Sequence, residues 1–232
     1  MPGASARSYA RIAGVLFLMS ALAGGFGEIF VPLQLVVSGD AAATARNIVD
    51  SNLLFRLGFA SYLVEALCDI SLTLVLYVLL RPVHRHLALL AVFFRILSTA
   101  TFAMTELFYV APALILGGAD YLRAFSPDQL NSLALLSLRF YAYGSGLFMV
   151  FYGVPSIVLG YLMFRSGYFP KFLGVLLALG GLGFVASSFL LILAPAYASF
   201  VLILPTALAG LALTLWLLIR GVDVAKWEEK QR

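Results

Sequence analysis

Seven ionisable residues stand inside otherwise apolar stretches of this chain: Glu28, Arg56, Glu65, Asp69, Arg95, Glu106 and Arg139. Near the centre of a membrane helix such a residue costs at least about 2.5–3.5 kcal/mol, so each needs a partner, water or a place at the interface. This set can do two kinds of chemistry. It can hold a cation, a proton or a small polar molecule within the bilayer. Alternatively, its members neutralise one another and fix helix register.

Depth separates the seven. At about 1.5 Å per residue, Asp69 lies roughly 16 Å from the end of its apolar run at Leu80. Arg95 lies roughly 12 Å from the start of the next run at Leu87 by the same rise. Adjacent antiparallel helices therefore bring the two to similar height, and an Asp69–Arg95 ion pair is expected. A guanidinium suits that place, because its planar fork can hold a carboxylate with two hydrogen bonds. Glu65 is one turn from Asp69 on the same helix face. Arg95 and Glu106, eleven residues apart, also share a face. The expected picture is a polar vestibule lined by Glu28, Arg56, Glu65, Glu106 and Arg139, with Asp69–Arg95 as its floor.

The elements that must carry these residues follow from composition. Of 232 residues, 62% are hydrophobic and 11% charged. Mean hydropathy is +1.02. Soluble domains carry roughly 25% charged residues, so a water-facing globule and a disordered chain are both excluded. Six apolar runs meet the roughly 20-residue length of a membrane helix: 12–37, 53–80, 87–116, 133–164, 172–193 and 200–219. They lack the period-two alternation of membrane strands. The expected fold is all-α, a polytopic transmembrane helical bundle in one domain, 1–232.

Lys and Arg set the expected orientation. Arg7, Arg11, Arg81, Arg85, Arg165, Lys171, Arg220, Lys226, Lys230 and Arg232 gather on one side, against Arg46 and Arg123 on the other. The positive-inside rule then places both termini in the cytoplasm. The net charge of +4 expresses this bias and does not point to nucleic acid. The first run resembles a signal peptide at Arg7–Met19, yet it stays apolar through Val37, which favours an uncleaved helix. Two connections read as capped helix starts. Asp40 precedes Ala41–Asn47, and Ser126-Pro127-Asp128-Gln129 matches a capping box.

Several chemistries lack their residues. The only histidines, His84 and His86, fall in a short loop. Bis-histidine haem ligation, a histidine zinc site and a serine–histidine dyad within the bilayer are thus excluded. Cys68, the single cysteine, reads as a buried inert thiol. Gly144, Gly146, Gly153 and Gly160, with Gly180-Gly181-Leu182-Gly183, read as helix-packing positions and not as a nucleotide loop. No catalytic residue, metal site or cofactor is expected.

A wider pattern is carried by Gly39–Ile48, Phe55-Arg56, Cys68-Asp69, Leu76–Val83, Phe94-Arg95, Gly160–Pro170 and Leu215–Val222. In these stretches the chain resembles the bacterial membrane proteins grouped as domain of unknown function 4386, from about Arg11 to Val222. The resemblance implies a six- or seven-helix protein of the bacterial inner membrane. It implies no activity.

The expected function is binding or translocation of a small molecule, an ion or a proton, and catalysis is disfavoured. Asp69 and Glu65 would take up the cation or proton, with Arg95 as internal counter-ion. Its expected partners are the lipid bilayer and that small molecule or ion. Two alternatives stay open. One is a non-catalytic membrane scaffold or partner subunit with structural ion pairs. The other is an intramembrane enzyme acting on a lipid.

Overall fold

A computed structural model describes residues 2–197 and 199–231. Arg232, counted above among the basic residues, lies outside them. The described residues are helical and contain no strand. The helices are α1 (Pro2–Gly24), α2 (Val31–Leu35), α3 (Ala41–Asp50), α4 (Asn52–Leu80), α5 (Arg85–Ile115), α6 (Pro127–Ser166), α7 (Lys171–Leu193), α8 (Leu204–Ile219) and α9 (Val224–Glu229).

Six helical stretches among the described residues are long and apolar enough to cross a membrane: Ala6–Leu35, Asn52–Leu80, Arg85–Ile115, Pro127–Ser166, Lys171–Leu193 and Val201–Ile219. Only 22–33% of the most apolar window in each is buried. Leu33, Leu53 and Leu193 are among the large side chains left outside. A surface so apolar matches hydrocarbon, in which all backbone groups must be satisfied within the helices. The chain is a multi-pass membrane protein.

Both predicted helix starts form. The Asp40 carboxylate accepts from Ala43 N–H at 2.8 Å and opens α3. The Gln129 side-chain carbonyl accepts from Ser126 N–H at 2.8 Å, while Ser126 Oγ accepts from Gln129 N–H at 3.3 Å. That reciprocal pair starts α6 before its apolar span. At about 1.5 Å per residue, its 40 residues reach roughly 60 Å, about twice the hydrocarbon thickness.

One break in the first span was not foreseen. Residues Gly25–Phe30 form a π-helical turn between α1 and α2. Pro32 supplies a reason. It has no N–H, and in a regular α-helix its ring would clash with the carbonyl four residues earlier, that of Glu28. Widening the turn relieves the clash. Such π-turns are frequent at functional sites.

The chain divides into two compact units. The first comprises residues 1–19, 67–100 and 146–232. Its core gathers Leu72, Leu76, Leu79, Leu162, Leu173 and Leu213 among others. Within it, Gly153 and Gly160 on α6 meet Gly181 and Gly174 on α7. A Cβ at Gly153 would lie 2.6 Å from Gly181 O, and one at Gly160 would lie 2.5 Å from Gly174 O. The seven-residue spacing on both helices lets the backbones run in contact. The second unit comprises residues 20–66 and 101–145. Its core is partly aromatic, with Phe55, Tyr109 and Tyr141 beside Val31, Leu35, Ile48 and Leu138.

Candidate functional site

Asp69 and Arg95 belong to the first unit. Arg95 Nη2 lies 2.9 Å from Asp69 Oδ2, and both side chains are largely buried. The guanidinium carbon also sits 3.8 Å from the centroid of the Tyr152 ring. Arg95 thus meets a carboxylate and an aromatic face, the two partners a buried guanidinium takes best. The cavity beside it, bordered by Phe17, Tyr77, Arg95, Tyr152 and Ser156, has a volume of about 30 Å³. That suffices for a water molecule and excludes an organic ligand.

Glu28, Arg56, Glu65, Glu106 and Arg139 belong to the second unit. They do not all gather at one place. Glu28 and Arg139 line a cavity of about 300 Å³ with Val31, Phe55, Tyr109 and Tyr141. This is the lower end of the range for small-molecule sites. Its aromatic wall is continuous. Phe55 and Tyr109 stack at 4.9 Å with 5° between their planes, and Tyr109 meets Tyr141 edge-on at 5.1 Å. Glu106 is buried, 2% exposed. It accepts a hydrogen bond from Tyr141 and lies close enough to Glu28 for their charges to interact. The π-turn carries Glu28 to this cavity, and α5 carries Tyr109 to it.

The remaining members depart from the predicted vestibule. Glu65 packs against Gly24 instead of lining the cavity. A Cβ at Gly24 would lie 2.9 Å from both carboxylate oxygens. Arg56 is exposed and donates to Asn52 Oδ1, one turn away, at 2.7 Å. Arg139 is exposed and donates to Ser38 Oγ at 3.3 Å. In these hydrogen bonds the two arginines have neutral partners, Asn52 and Ser38, so they do not pair with the carboxylates of the set. Arg95 and Glu106 share a helix face but not a unit. Among the described residues no three His, Cys, Asp or Glu side chains converge as metal donors.

The aromatic wall was missed in the sequence. Phe55, Tyr109 and Tyr141 look there like ordinary apolar or interfacial residues. A signal did exist at Glu28, which lies in a glycine-rich stretch four residues before Pro32.

The chain matches the family described as Domain of unknown function (DUF4386) over residues 12–221. It belongs to that family. An uncharacterized protein of Archaeoglobus fulgidus is 28% identical over 117 residues, which are 50% of this chain and 56% of that protein. The chain therefore spans little more than half the length of that relative. No solved structure matches it.

Proposed function

We propose that this DUF4386 member binds a small ammonium-bearing molecule in the Glu28 cavity and carries it across a prokaryotic cell membrane. One observation carries the reading: a carboxylate, Glu28, shares a cavity of about 300 Å³ with three buried aromatic rings. Aromatic faces attract organic cations, and more strongly where water is excluded. A carboxylate supplies the counter-charge. Leu35, Leu138 and Val31 offer apolar wall for the rest of the ligand. Arg139, on the same cavity, is available to an anionic end. The clustering of Lys and Arg supports a cytoplasmic location for both termini.

This reading puts uptake at Glu28 in place of the Asp69 and Glu65 expected from the sequence. Asp69 is already held by Arg95 beside a water-sized cavity. That pair favours the scaffold reading for the first unit, since an ion pair closed on itself leaves little for a ligand.

The test is calorimetric titration of the protein in lipid nanodiscs with tetramethylammonium and with butylamine. Saturable binding is expected. Glu28→Gln should weaken it roughly tenfold or more, the worth of one charge-assisted contact. Equal binding by wild type and Glu28→Gln, or none by wild type, overturns the reading.

A further inference from the structure

A second cleft, in the first unit, has the opposite character. It is lined by Tyr77, Arg81, Pro82, Arg85, Lys230 and Gln231 and has a volume of about 550 Å³. Three cations and no carboxylate face it. Among the described residues, Arg81, Arg85 and Lys230 take part in no ion pair. Three like charges brought together in this way repel one another unless an anion joins them.

The convergence is built into the fold. Arg81 follows the last residue of α4, and Arg85 is the first residue of α5. Between them His84 Nδ1 accepts from Leu87 N–H at 3.3 Å and caps α5. The positive end of the α5 dipole therefore also lies at this turn. Lys230 arrives from the far end of the chain, on a segment that is fixed in place. Asp223 caps α9 by accepting from Lys226 N–H. Trp227 in α9 is 3% exposed, and its indole N–H donates to Leu79 O at 3.1 Å. Tyr168 donates to the same carbonyl at 2.7 Å, and burial pushes its phenol well above the ordinary tyrosine range. Leu79 is two residues before Arg81, so this anchor sets Lys230 beside the two arginines.

Topology alone does not require this arrangement. The positive-inside bias is met by basic residues anywhere on one side of the membrane. Here three of them, from three elements, share one cleft.

We propose that the Arg81–Arg85–Lys230 cleft binds a phosphate-bearing anion. The cleft lies where one span ends at Leu80 and the next begins at Arg85, which is the depth of lipid headgroups. Arginine matches phosphate oxygens with paired hydrogen bonds, and basic pockets at this depth hold anionic headgroups. The source is therefore a phospholipid headgroup, with free phosphate as the other source of the same chemistry. This site is independent of the Glu28 cavity.

The test uses the full chain purified from nanodiscs of mixed phosphatidylcholine and phosphatidylglycerol, with retained lipid counted by native mass spectrometry. Wild type should retain phosphatidylglycerol in preference to phosphatidylcholine. Arg81→Gln with Arg85→Gln and Lys230→Gln should reduce that preference by about a hundredfold, taking about 1 kcal/mol for each cation near the surface. A charge-matched control, Arg165→Gln with Lys171→Gln and Arg220→Gln, should change it less than about twofold. Loss of retained phosphatidylglycerol on adding inorganic phosphate would assign the site to free phosphate as well. Persistence would assign it to the lipid alone. Lys230→Gln by itself, expected to cost roughly fivefold, serves if the triple variant does not fold. Equal losses in the triple variant and its control, or no preference in wild type, overturn the proposal.

Discussion

The two units treat buried charge in opposite ways. In the first, Asp69 and Arg95 meet at 2.9 Å and Tyr152 covers the guanidinium. The space beside them holds about 30 Å³. In the second, Glu28 borders about 300 Å³ walled by aromatic rings, with Glu106 nearby. Both arrangements satisfy the requirement that intramembrane charge be compensated. The first does so internally and so resists change. The second sets its carboxylate beside open space. A charged residue inside a membrane span is thus no sign of a binding site by itself. Room beside it distinguishes the two cases.

The sharpest way to break this comparison is to unbalance the closed pair. Arg95→Gln leaves the Asp69 carboxylate buried without its cation and should destabilise the protein by about 3–5 kcal/mol. Asp69→Asn should be comparably harmful, because it strands the guanidinium. The double variant should recover much of the loss, since it buries no unpaired charge. Unfolding in detergent, followed as a double-mutant cycle, measures the coupling. Additive losses would mean that the pair does not act as a lock.

A smaller effect is expected at Tyr141. Tyr141→Phe keeps the ring, and with it the contact to Tyr109, but removes the hydroxyl that donates to Glu106. A buried carboxylate deprived of one donor costs about 1–3 kcal/mol. The same variant should weaken tetramethylammonium binding by less than Glu28→Gln does, because the aromatic face remains. If Tyr141→Phe destabilised the protein as much as Arg95→Gln, the second unit would also be a structural lock and the contrast would collapse.

Sequence reasoning reached the closed pair more easily than the open cavity, for a physical reason. Asp69 and Arg95 sit on consecutive helices, so rise per residue alone puts them at one height. The six spans and both capped starts rest on equally local signals: apolar length, Asp40, and the Ser126–Gln129 spacing. The cavity depends on features without a local signature. The π-turn changes which way Glu28 faces, and no count at 100° per residue includes it. The aromatic wall joins α4, α5 and α6 through Phe55, Tyr109 and Tyr141, whose types fit any apolar core. Arg56 has a partner one turn back, Asn52, which depth along the helix does not reveal. α9 has six residues, too few for a periodic pattern to mark it.

The smallest effects should come from the two exposed arginines, and they separate position from charge. Arg56 and Arg139 have the same side chain, similar exposure and neutral partners, Asn52 and Ser38. Only Arg139 lines the Glu28 cavity. Neither Arg56→Gln nor Arg139→Gln should shift the unfolding midpoint measurably, as exposed charges contribute little to stability. Ligand selectivity should tell them apart. On the proposed binding mode, with Arg139 intact, a zwitterion such as leucine is expected to place its ammonium at Glu28 and its carboxylate at the guanidinium. Arg139→Gln should therefore weaken leucine binding several-fold and leave butylamine unchanged, while Arg56→Gln alters neither. Calorimetric titration of both ligands against both variants checks this. Equal changes in leucine and butylamine binding on Arg139→Gln would remove that arginine from the recognition site and leave Glu28 and the aromatic wall to act alone.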